Sequence, residues 1–186
     1  MKPTQVLMDE HRVIEHVLDA LQRAAIRLSN DELIRPALFL NAALFIKNFA
    51  DGCHHRKEEG VLFPAMIDSG LPAQGGPVAA MLAEHELGRD FTREMKAAAE
   101  KWEKGDYSAR AAVIHNALGY VALLRPHIQK EDKILFPMAD RIIKPELQEK
   151  VAAEFERIEV EETGAGIHEK YHALAEVLEK ESLAPV

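Results

Sequence analysis

The chain carries the same short pattern of histidine and glutamate twice, at residues 54–64 and 127–137. Each copy reads His, three residues, Glu, three residues, Leu-Phe-Pro. A Glu-His pair precedes each copy by nearly the same interval, at residues 10–11 and 84–85. Imidazoles and carboxylates are common ligands of transition metals, and a doubled set of them predicts a site for two metal ions.

Helical geometry supports this interpretation, because residues four apart lie on one face of an α-helix. His54, Glu58 and Leu62 would share one stripe, and the second copy would form an equivalent stripe. The leucines indicate that the stripe faces the core, which carries the glutamates inward too. A buried carboxylate without compensating charge costs several kcal/mol, so two of them at equal spacing predict a bound cation.

The first copy permits two registers, because His55 and Glu59 have the same spacing as His54 and Glu58. The second copy has Ile128 where His55 would map, and it therefore favours His54 and Glu58 as ligands. We interpret His55 and Glu59 as residues that flank the site or support its ligands.

The elements that must position these residues are helices, since apolar residues recur at helical spacing along most of the chain. Four long helices are predicted, over about residues 4–28, 33–64, 77–105 and 106–143. Short loops between them indicate an all-α, up-down-up-down four-helix bundle. Two further helices are predicted over 145–163 and 167–181. We expect residues 1–143 to form the bundle domain and residues 144–186 to form a helical extension packed on it.

The topology brings the candidate side chains to one depth. In an antiparallel bundle, the starts of the first and third helices lie at the same end as the finishes of the second and fourth. At 1.5 Å of rise per residue, the candidates lie about 9–12 Å from that end. The predicted metal ligands are His11, His54, Glu58, His85, His127 and Glu131. This set suits iron or manganese, and suits zinc alone less well.

Two residues interrupt the helical pattern close to the predicted ligands. Gly52 lies just before His54, and Pro126 lies directly before His127. Proline removes a backbone hydrogen bond and disfavours helical geometry at the preceding residue. We therefore expect a bend or a loosened turn in the fourth helix, which either follows from packing or aims His127.

The composition is typical of a globular protein with one sizeable core, at 186 residues with 47% hydrophobic and 29% charged residues. The net charge of −8 argues against a nucleic-acid or membrane partner. No apolar run is long enough to span a bilayer. The single cysteine, Cys53, cannot form an internal disulfide, so we expect a reducing, cytoplasmic location.

Taken together, these residues resemble the hemerythrin-like family, also called HHE cation-binding domains. The resemblance covers about residues 4–143 and rests on the Glu-His start, the His-x-x-x-Glu-Glu-x-x-Leu-Phe-Pro segment and its second copy. It implies a four-helix bundle that holds two iron ions bridged by an oxo or hydroxo group. It also implies the same six ligands, and makes manganese or zinc less expected than iron.

The sequence departs from the oxygen-carrying hemerythrins at one position. Those proteins have a second histidine four residues after the third-helix histidine, where this chain has Arg89. Their aspartate five residues after the fourth-helix histidine is matched by Asp132, but Glu131 takes the bridging place. Four histidines with two glutamates are more similar to iron-centre repair proteins of nitrosative stress and to the iron-sensing domain of a ubiquitin ligase. We therefore do not expect reversible oxygen transport.

The resemblance implies a di-iron protein that reacts with or senses O₂, peroxide or NO, or handles iron, in oxidative or nitrosative stress. Fewer imidazoles leave open metal positions, which favour such reactivity. The alternative is a non-enzymatic, metal-responsive sensor or interaction module. In that case the C-terminal helices would bind a protein partner or a second copy of the chain.

Four further residues have two interpretations each. Tyr120 is either a core tyrosine with a satisfied hydroxyl or a neighbour of the site. Cys53 is interpreted as a small packing residue, with a redox role as the alternative. His168 and His172 lie four apart, and we interpret them as surface residues, although they could line the mouth of the bundle.

Overall fold

Six helices make up the computed structural model, which describes residues 1–163 and 166–184, with the backbone alone for residues 161–163, 167 and 168. The helices are α1 (Pro3–Ser29), α2 (36–68), α3 (Pro77–Glu103), α4 (110–142), α5 (145–163) and α6 (Ile167–Leu183). No strand occurs in the described ranges. The prediction of an all-α bundle with two additional C-terminal helices is confirmed.

Proline in the first turn begins four of these helices, at Pro3, Pro36, Pro77 and Pro145. A proline there costs no hydrogen bond, because the first N–H groups of a helix have no partner within it. Before α4, the Asp106 carboxylate accepts a hydrogen bond from the backbone N–H of Ser108 at 3.1 Å. The starts predicted from the sequence therefore lie within a few residues of the observed ones.

Three of the helices contain π-helical stretches, in which the backbone turn is wider than in an α-helix. These stretches are Ile46–His55 and Glu58–Leu62 in α2, Glu131–Leu135 in α4 and Ile158–Thr163 in α5. The wide turns of α2 and α4 coincide with the residues that the sequence predicts as ligands.

The wide turns at the two glutamates have a common cause in the repeated pattern. The backbone N–H of Phe63 donates to the carbonyl of Glu58, and that of Phe136 donates to the carbonyl of Glu131, five residues earlier in each case. A proline follows each phenylalanine, and in a regular α-helix its ring would clash with the carbonyl four residues before it. The π-helical turn thus lies directly ahead of each Phe-Pro pair, and such turns are frequent at functional sites.

The loosened turn that we expected beside Pro126 lies elsewhere. Pro126 is within the regular α-helical stretch Arg110–Lys130, which accommodates it without a change of helix type. The turn widens after that stretch, at Glu131–Leu135, ahead of Pro137. The fourth helix thus has a loosened turn next to the site, as expected. The turn lies beside Pro137 and not beside Pro126.

The four long helices close a bundle in which α1 packs against α4, α4 against α3, and α3 against α2. α6 lies along α1 and α2, whereas α5 contacts α1 and the stretch Glu58–Leu62 of α2. The division into a bundle domain and an extension at residue 143 stays a prediction. Within the described ranges, no helix combines the length and apolar character needed to cross a membrane.

Two apolar clusters fill the bundle. The larger cluster includes Leu18, Leu21, Phe39, Phe45, Phe49, Trp102, Tyr120 and Leu124. The smaller cluster includes Leu7, Leu62, Phe63, Met66, Met81, Leu135 and Phe136. Along each long helix, the predicted ligands lie between residues of the two clusters. They therefore form a polar layer that apolar side chains enclose on both sides.

Candidate metal site

Seven buried side chains with metal-binding atoms meet in this polar layer, and they form two groups. We call His11, His54, Glu58 and Glu131 the first group, and His55, His85 and His127 the second group. Within each group, one ligand atom per residue lies within 4.8 Å of every other. All six residues predicted as ligands lie in these two groups, together with His55.

The two glutamates of the first group also reach imidazoles of the second group. Oε1 of Glu58 is 3.4 Å from Nε2 of His54, and its Oε2 is 3.5 Å from Nε2 of His85. Oε2 of Glu131 is 3.3 Å from Nε2 of His11 and 3.2 Å from Nε2 of His127. Each carboxylate thus reaches one imidazole of each group, which is the placement required to bridge two metal ions.

The carboxylate oxygens of both glutamates lack hydrogen-bond partners. Both oxygens of Glu58, both oxygens of Glu131 and Nε2 of His11 are fully buried, with no partner among the described residues. Buried polar atoms in native proteins are nearly always satisfied, and unpaired carboxylates are among the costliest exceptions. A cation between the two groups would satisfy these atoms, so the residues present fit a metal centre.

The protonation of the two glutamates reflects the same arrangement. Burial raises the pKa of Glu58 well above its usual range, and the neighbouring Glu131 carboxylate raises it further. Burial also acts to raise the pKa of Glu131, but the adjacent imidazoles of His11 and His127 outweigh it and lower the pKa. Without a cation, two adjacent carboxylates would therefore hold a proton, which a metal would displace.

His55 is the residue that the sequence analysis did not place among the ligands. Its imidazole stacks on that of His85, with ring centroids 3.7 Å apart and planes 15° from parallel. Burial lowers the pKa of His55 well below its usual range, so the ring is neutral and able to bind a metal. The structure thus places His55 inside the site, whereas we had interpreted it as a flanking residue.

The wide turn of α2 explains how consecutive histidines both face the interior. In an α-helix they would point about 100° apart, whereas the π-helical stretch Ile46–His55 has more residues per turn and a smaller angle between neighbours. Gly52 lies within this stretch, and a Cβ there would be 3.2 Å from the carbonyl oxygen of Lys47. A glycine next to two successive histidines is the signal that could have indicated the change.

Every histidine of the site is held by a carboxylate at its other nitrogen. The Nδ1 pairs are His11 with Asp132 (2.7 Å), His54 with Glu10 (2.9 Å), His55 with Asp51 (2.9 Å), His85 with Glu59 (2.7 Å) and His127 with Glu84 (2.8 Å). A carboxylate only accepts hydrogen bonds, so each Nδ1 carries the proton and the lone pair of each Nε2 remains for a metal. Nε2 of His85 and Nε2 of His127 lie 3.1 Å apart. This arrangement orients histidine ligands and raises their affinity for a metal.

Two of these supporting contacts join neighbouring helices, one within each half of the repeat. Glu10 precedes His11 in sequence but holds His54 of α2, and Glu84 precedes His85 but holds His127 of α4. The sequence repeat therefore contains supporting carboxylates as well as ligands. From the sequence alone, only the histidines of these Glu-His pairs are predicted to belong to the site.

The repeated Leu-Phe-Pro segments instead connect the two halves of the repeat. The ring of Phe63 stacks on His85 with centroids 6.0 Å apart, and the ring of Phe136 stacks on His11 at 5.5 Å. Asp132 and Glu59, the residues that follow Glu131 and Glu58, hold the same two histidines. His11 of α1 and His85 of α3 are thus each fixed by one aromatic ring and one carboxylate of another helix.

A basic side chain lies behind four of the supporting carboxylates. These pairs are Lys57 with Glu10, Lys130 with Glu84, Arg12 with Asp132 and Arg89 with Glu59. Arg89, which stands where oxygen carriers have a histidine, therefore supports the site from outside. The pKa of Glu10, Glu59 and Glu84 is lowered, because the histidine and the basic side chain at each carboxylate together outweigh its burial. These three carboxylates are therefore ionised and accept hydrogen bonds from the histidines.

The remaining candidates have simpler roles. Tyr120 is buried in the larger apolar cluster, but its hydroxyl has no partner among the described residues, so the expected satisfied hydroxyl is not observed. Cys53 is buried, with Sγ 3.9 Å from Oε1 of Glu10. His172 is exposed, and the side chain of His168 lies outside the described residues.

The fold and the site define a protein of the hemerythrin class, and sequence comparison assigns the chain to that family. A profile described as the hemerythrin HHE cation-binding domain matches residues 2–139. The chain belongs to this family. Membership accounts for the bundle and for a His/Glu site suited to a metal cation, which in this family is typically iron.

Three mycobacterial proteins are similar to this chain, one of Mycobacterium bovis and two of Mycobacterium tuberculosis strains, and each is named an uncharacterized protein. Each is 30% identical over 132 residues, which cover 70% of this chain and 51% of the relative. The chain thus spans about half the length of the curated relatives it matches. No solved structure matches the chain.

Proposed function

We propose that this protein binds two iron ions, one in each group, with Glu58 and Glu131 as the bridging ligands. The observation that carries the proposal is the four buried carboxylate oxygens that lack partners between two sets of oriented imidazoles. Iron is favoured over zinc because mixed imidazole and carboxylate ligands without thiolates suit iron, and because the family is typically iron-binding.

The two proposed metal positions differ in the number of ligands that the chain offers. The second group has three imidazoles, whereas the first group has only His11 and His54. Both glutamates reach both groups, so they add equally to each. The first metal position therefore has one protein ligand fewer than the second. We propose that a small ligand such as O₂, peroxide or NO binds at the first group, where the protein leaves one more position open.

The chain's own residues prepare this position. Asp132 and Glu10 hold the protons on Nδ1 of His11 and His54, so that both Nε2 atoms stay free. Phe136 covers His11, and the apolar clusters on either side exclude bulk water. Two iron ions held there would supply redox change and an open position for the small ligand.

The fifth imidazole changes one argument made from the sequence. From the sequence we do not expect oxygen transport, because Arg89 stands where oxygen carriers have a further histidine and only four histidines are predicted as ligands. His55 restores that number from a different helix. The imidazole count therefore does not separate carriage of O₂ from reaction with it, and only the behaviour of the iron-loaded protein can.

The proposal is tested on protein expressed with ample iron, purified and then reduced without oxygen. Two irons per chain are expected, together with a near-ultraviolet and visible absorption spectrum that changes on addition of O₂, peroxide or NO. Reversal of the O₂ spectrum under vacuum would indicate carriage, and consumption of peroxide would indicate turnover. A colourless, iron-free protein of equal thermal stability would contradict the proposal.

The second candidate is a non-enzymatic, metal-responsive sensor. The contact between α5 and the π-helical end of α2, next to Glu58, favours it, because this contact connects the site to the C-terminal part of the chain. Binding of iron with a large increase in stability, but without turnover of any of the three small ligands, would support the sensor.

A further inference from the structure

Lys57 is the most deeply buried charged side chain that supports the site. Its side chain has no exposed surface, and its Nζ is 2.5 Å from Oε1 of Glu10. It also pairs with Glu159 of α5, and its Nζ lies 5.8 Å from the ring centroid of Phe155, also in α5. A buried ammonium group is tolerated only when it is paired, so Lys57 depends on partners from both α1 and α5.

The sequence repeat supplies an internal comparison. Lys130 directly precedes Glu131, as Lys57 directly precedes Glu58, and it pairs with the equivalent carboxylate, Glu84. The side chain of Lys130 is nevertheless 41% exposed to solvent. The difference between the two copies is that α5 lies over Lys57.

A short series of contacts leads from α5 to the first group. Glu159 pairs with Lys57, Lys57 pairs with Glu10, and Glu10 accepts the hydrogen bond from Nδ1 of His54. A metal on Nε2 of His54 makes the Nδ1 proton more acidic and so strengthens its bond to Glu10. Glu10 and Lys57 would then be held in place, with Lys57 oriented toward α5.

We propose that α5 is a metal-responsive cover over the first group, and that Lys57 is the positioning residue that couples the two. This inference rests on the proposed function, because it requires iron at His11 and His54. Coupling between binding events is reciprocal, so iron in the first group stabilises the docking of α5, and docked α5 slows the loss of that iron. Lys130, beside the second group, is 41% exposed and has no equivalent cover, so α5 would act on the second iron only through the shared glutamates.

The test is hydrogen exchange on the full chain, with and without ferrous iron under anaerobic conditions, with iron counted in the same samples. In the wild type, iron should slow amide exchange across residues 150–158 by about fivefold or more, the low end of allosteric coupling. Glu159→Gln should remove most of that difference. Glu156→Gln makes the same charge change on an exposed part of α5 and should retain it.

The reciprocal measurement is the release of iron to a chelator. Glu159→Gln should release one of two irons about fivefold faster or more, and should change the release of the other less, because the second iron is coupled to α5 only through the shared glutamates. Two irons bound with exchange in α5 unaffected, or Glu159→Gln with full iron-dependent protection, would overturn the cover while leaving the di-iron proposal intact. Failure of the wild type to take up iron would overturn both.

Discussion

The imidazole of His55 lies parallel to that of His85, with their ring centroids 3.7 Å apart. The two residues belong to different helices, and each is anchored through Nδ1, to Asp51 and Glu59 respectively. Together with His127 they form the group with three imidazoles. Membership of His55 in this group is what distinguishes the structure from the site expected from the sequence.

Replacing His55 by alanine should therefore remove iron from the second group. The number of irons per chain should fall from two to about one, because the loss of one of three imidazoles and its supporting hydrogen bond weakens binding by at least the 10–100-fold seen for supporting residues alone. His16→Ala is the matched control, since that histidine is 61% exposed. Elemental analysis measures the number of irons per chain in both variants. Two irons retained in His55→Ala would mean that the residue only flanks the site.

Gly52→Ala should disturb the wide turn that directs His55 inward. The added Cβ would lie 3.2 Å from the carbonyl oxygen of Lys47, which is tighter than ordinary contact. Gly60→Ala is the control on the same helix, because its Cβ would meet nothing within 4 Å and should stabilise the protein by about 0.5–1 kcal/mol. Iron content should fall in Gly52→Ala and not in Gly60→Ala. Equal iron content in the two variants would refute this role of Gly52.

The fold was predictable from the sequence to a large extent, because helical periodicity and first-turn prolines are local signals. The common depth of His11, Glu58, His85 and Glu131 was also predictable, since it follows from helix rise alone. The position of His55 was not, because the prediction assumed α-helical geometry throughout α2. The local turn is π-helical, and that depends on backbone packing which residue spacing does not reveal.

The supporting carboxylates were missed for another reason. Glu10 and Glu84 are visible in the repeat, but a helix places consecutive residues on different faces, so the spacing gives neither of them a role beside its own histidine. Each instead contacts a histidine of a neighbouring helix, His54 or His127. Such contacts depend on the angle and distance between helices, which the sequence of one helix does not determine.

Glu58→Gln should stabilise the metal-free protein while abolishing two-iron binding. An amide at position 58 can donate a hydrogen bond to Glu131, which relieves the unpaired oxygens and the repulsion between two carboxylates. The expected gain is about 1–3 kcal/mol, or roughly 2–4 °C in melting temperature per kcal/mol for a chain of this size. Glu15→Gln, at a partly exposed carboxylate on α1, should change neither property. A less stable metal-free Glu58→Gln would contradict the account.

Without metal, the difference in stability between Glu58→Gln and the wild type should depend on pH. Burial raises the pKa of Glu58 in the folded protein above its value in the unfolded chain, so the folded state binds more protons. Stability contributed by this proton is present below the unfolded pKa and is lost as pH rises. The advantage of Glu58→Gln over the wild type should therefore be larger at pH 8 than at pH 5. Melting curves in metal-free buffers at both pH values provide the comparison, and an equal difference at the two would argue against a shared proton.

Removal of the metal should destabilise the wild-type protein considerably. At a free metal concentration of 100 times the dissociation constant, bound metal contributes about 2.7 kcal/mol per site, which corresponds to roughly 5–10 °C in melting temperature for a chain of this length. Calorimetry before and after treatment with a chelator measures the shift, and re-addition of ferrous iron should reverse it. Identical melting of the two forms would mean that the unpaired carboxylates do not hold a metal.

The most direct test of the two-metal site is anomalous diffraction at the iron absorption edge from crystals of iron-loaded protein. Two peaks are predicted, one at Nε2 of His11 and His54 and one at Nε2 of His55, His85 and His127, with Glu58 and Glu131 in contact with both. A single peak, peaks at the protein surface, or a second peak without His55 among its ligands would contradict the account.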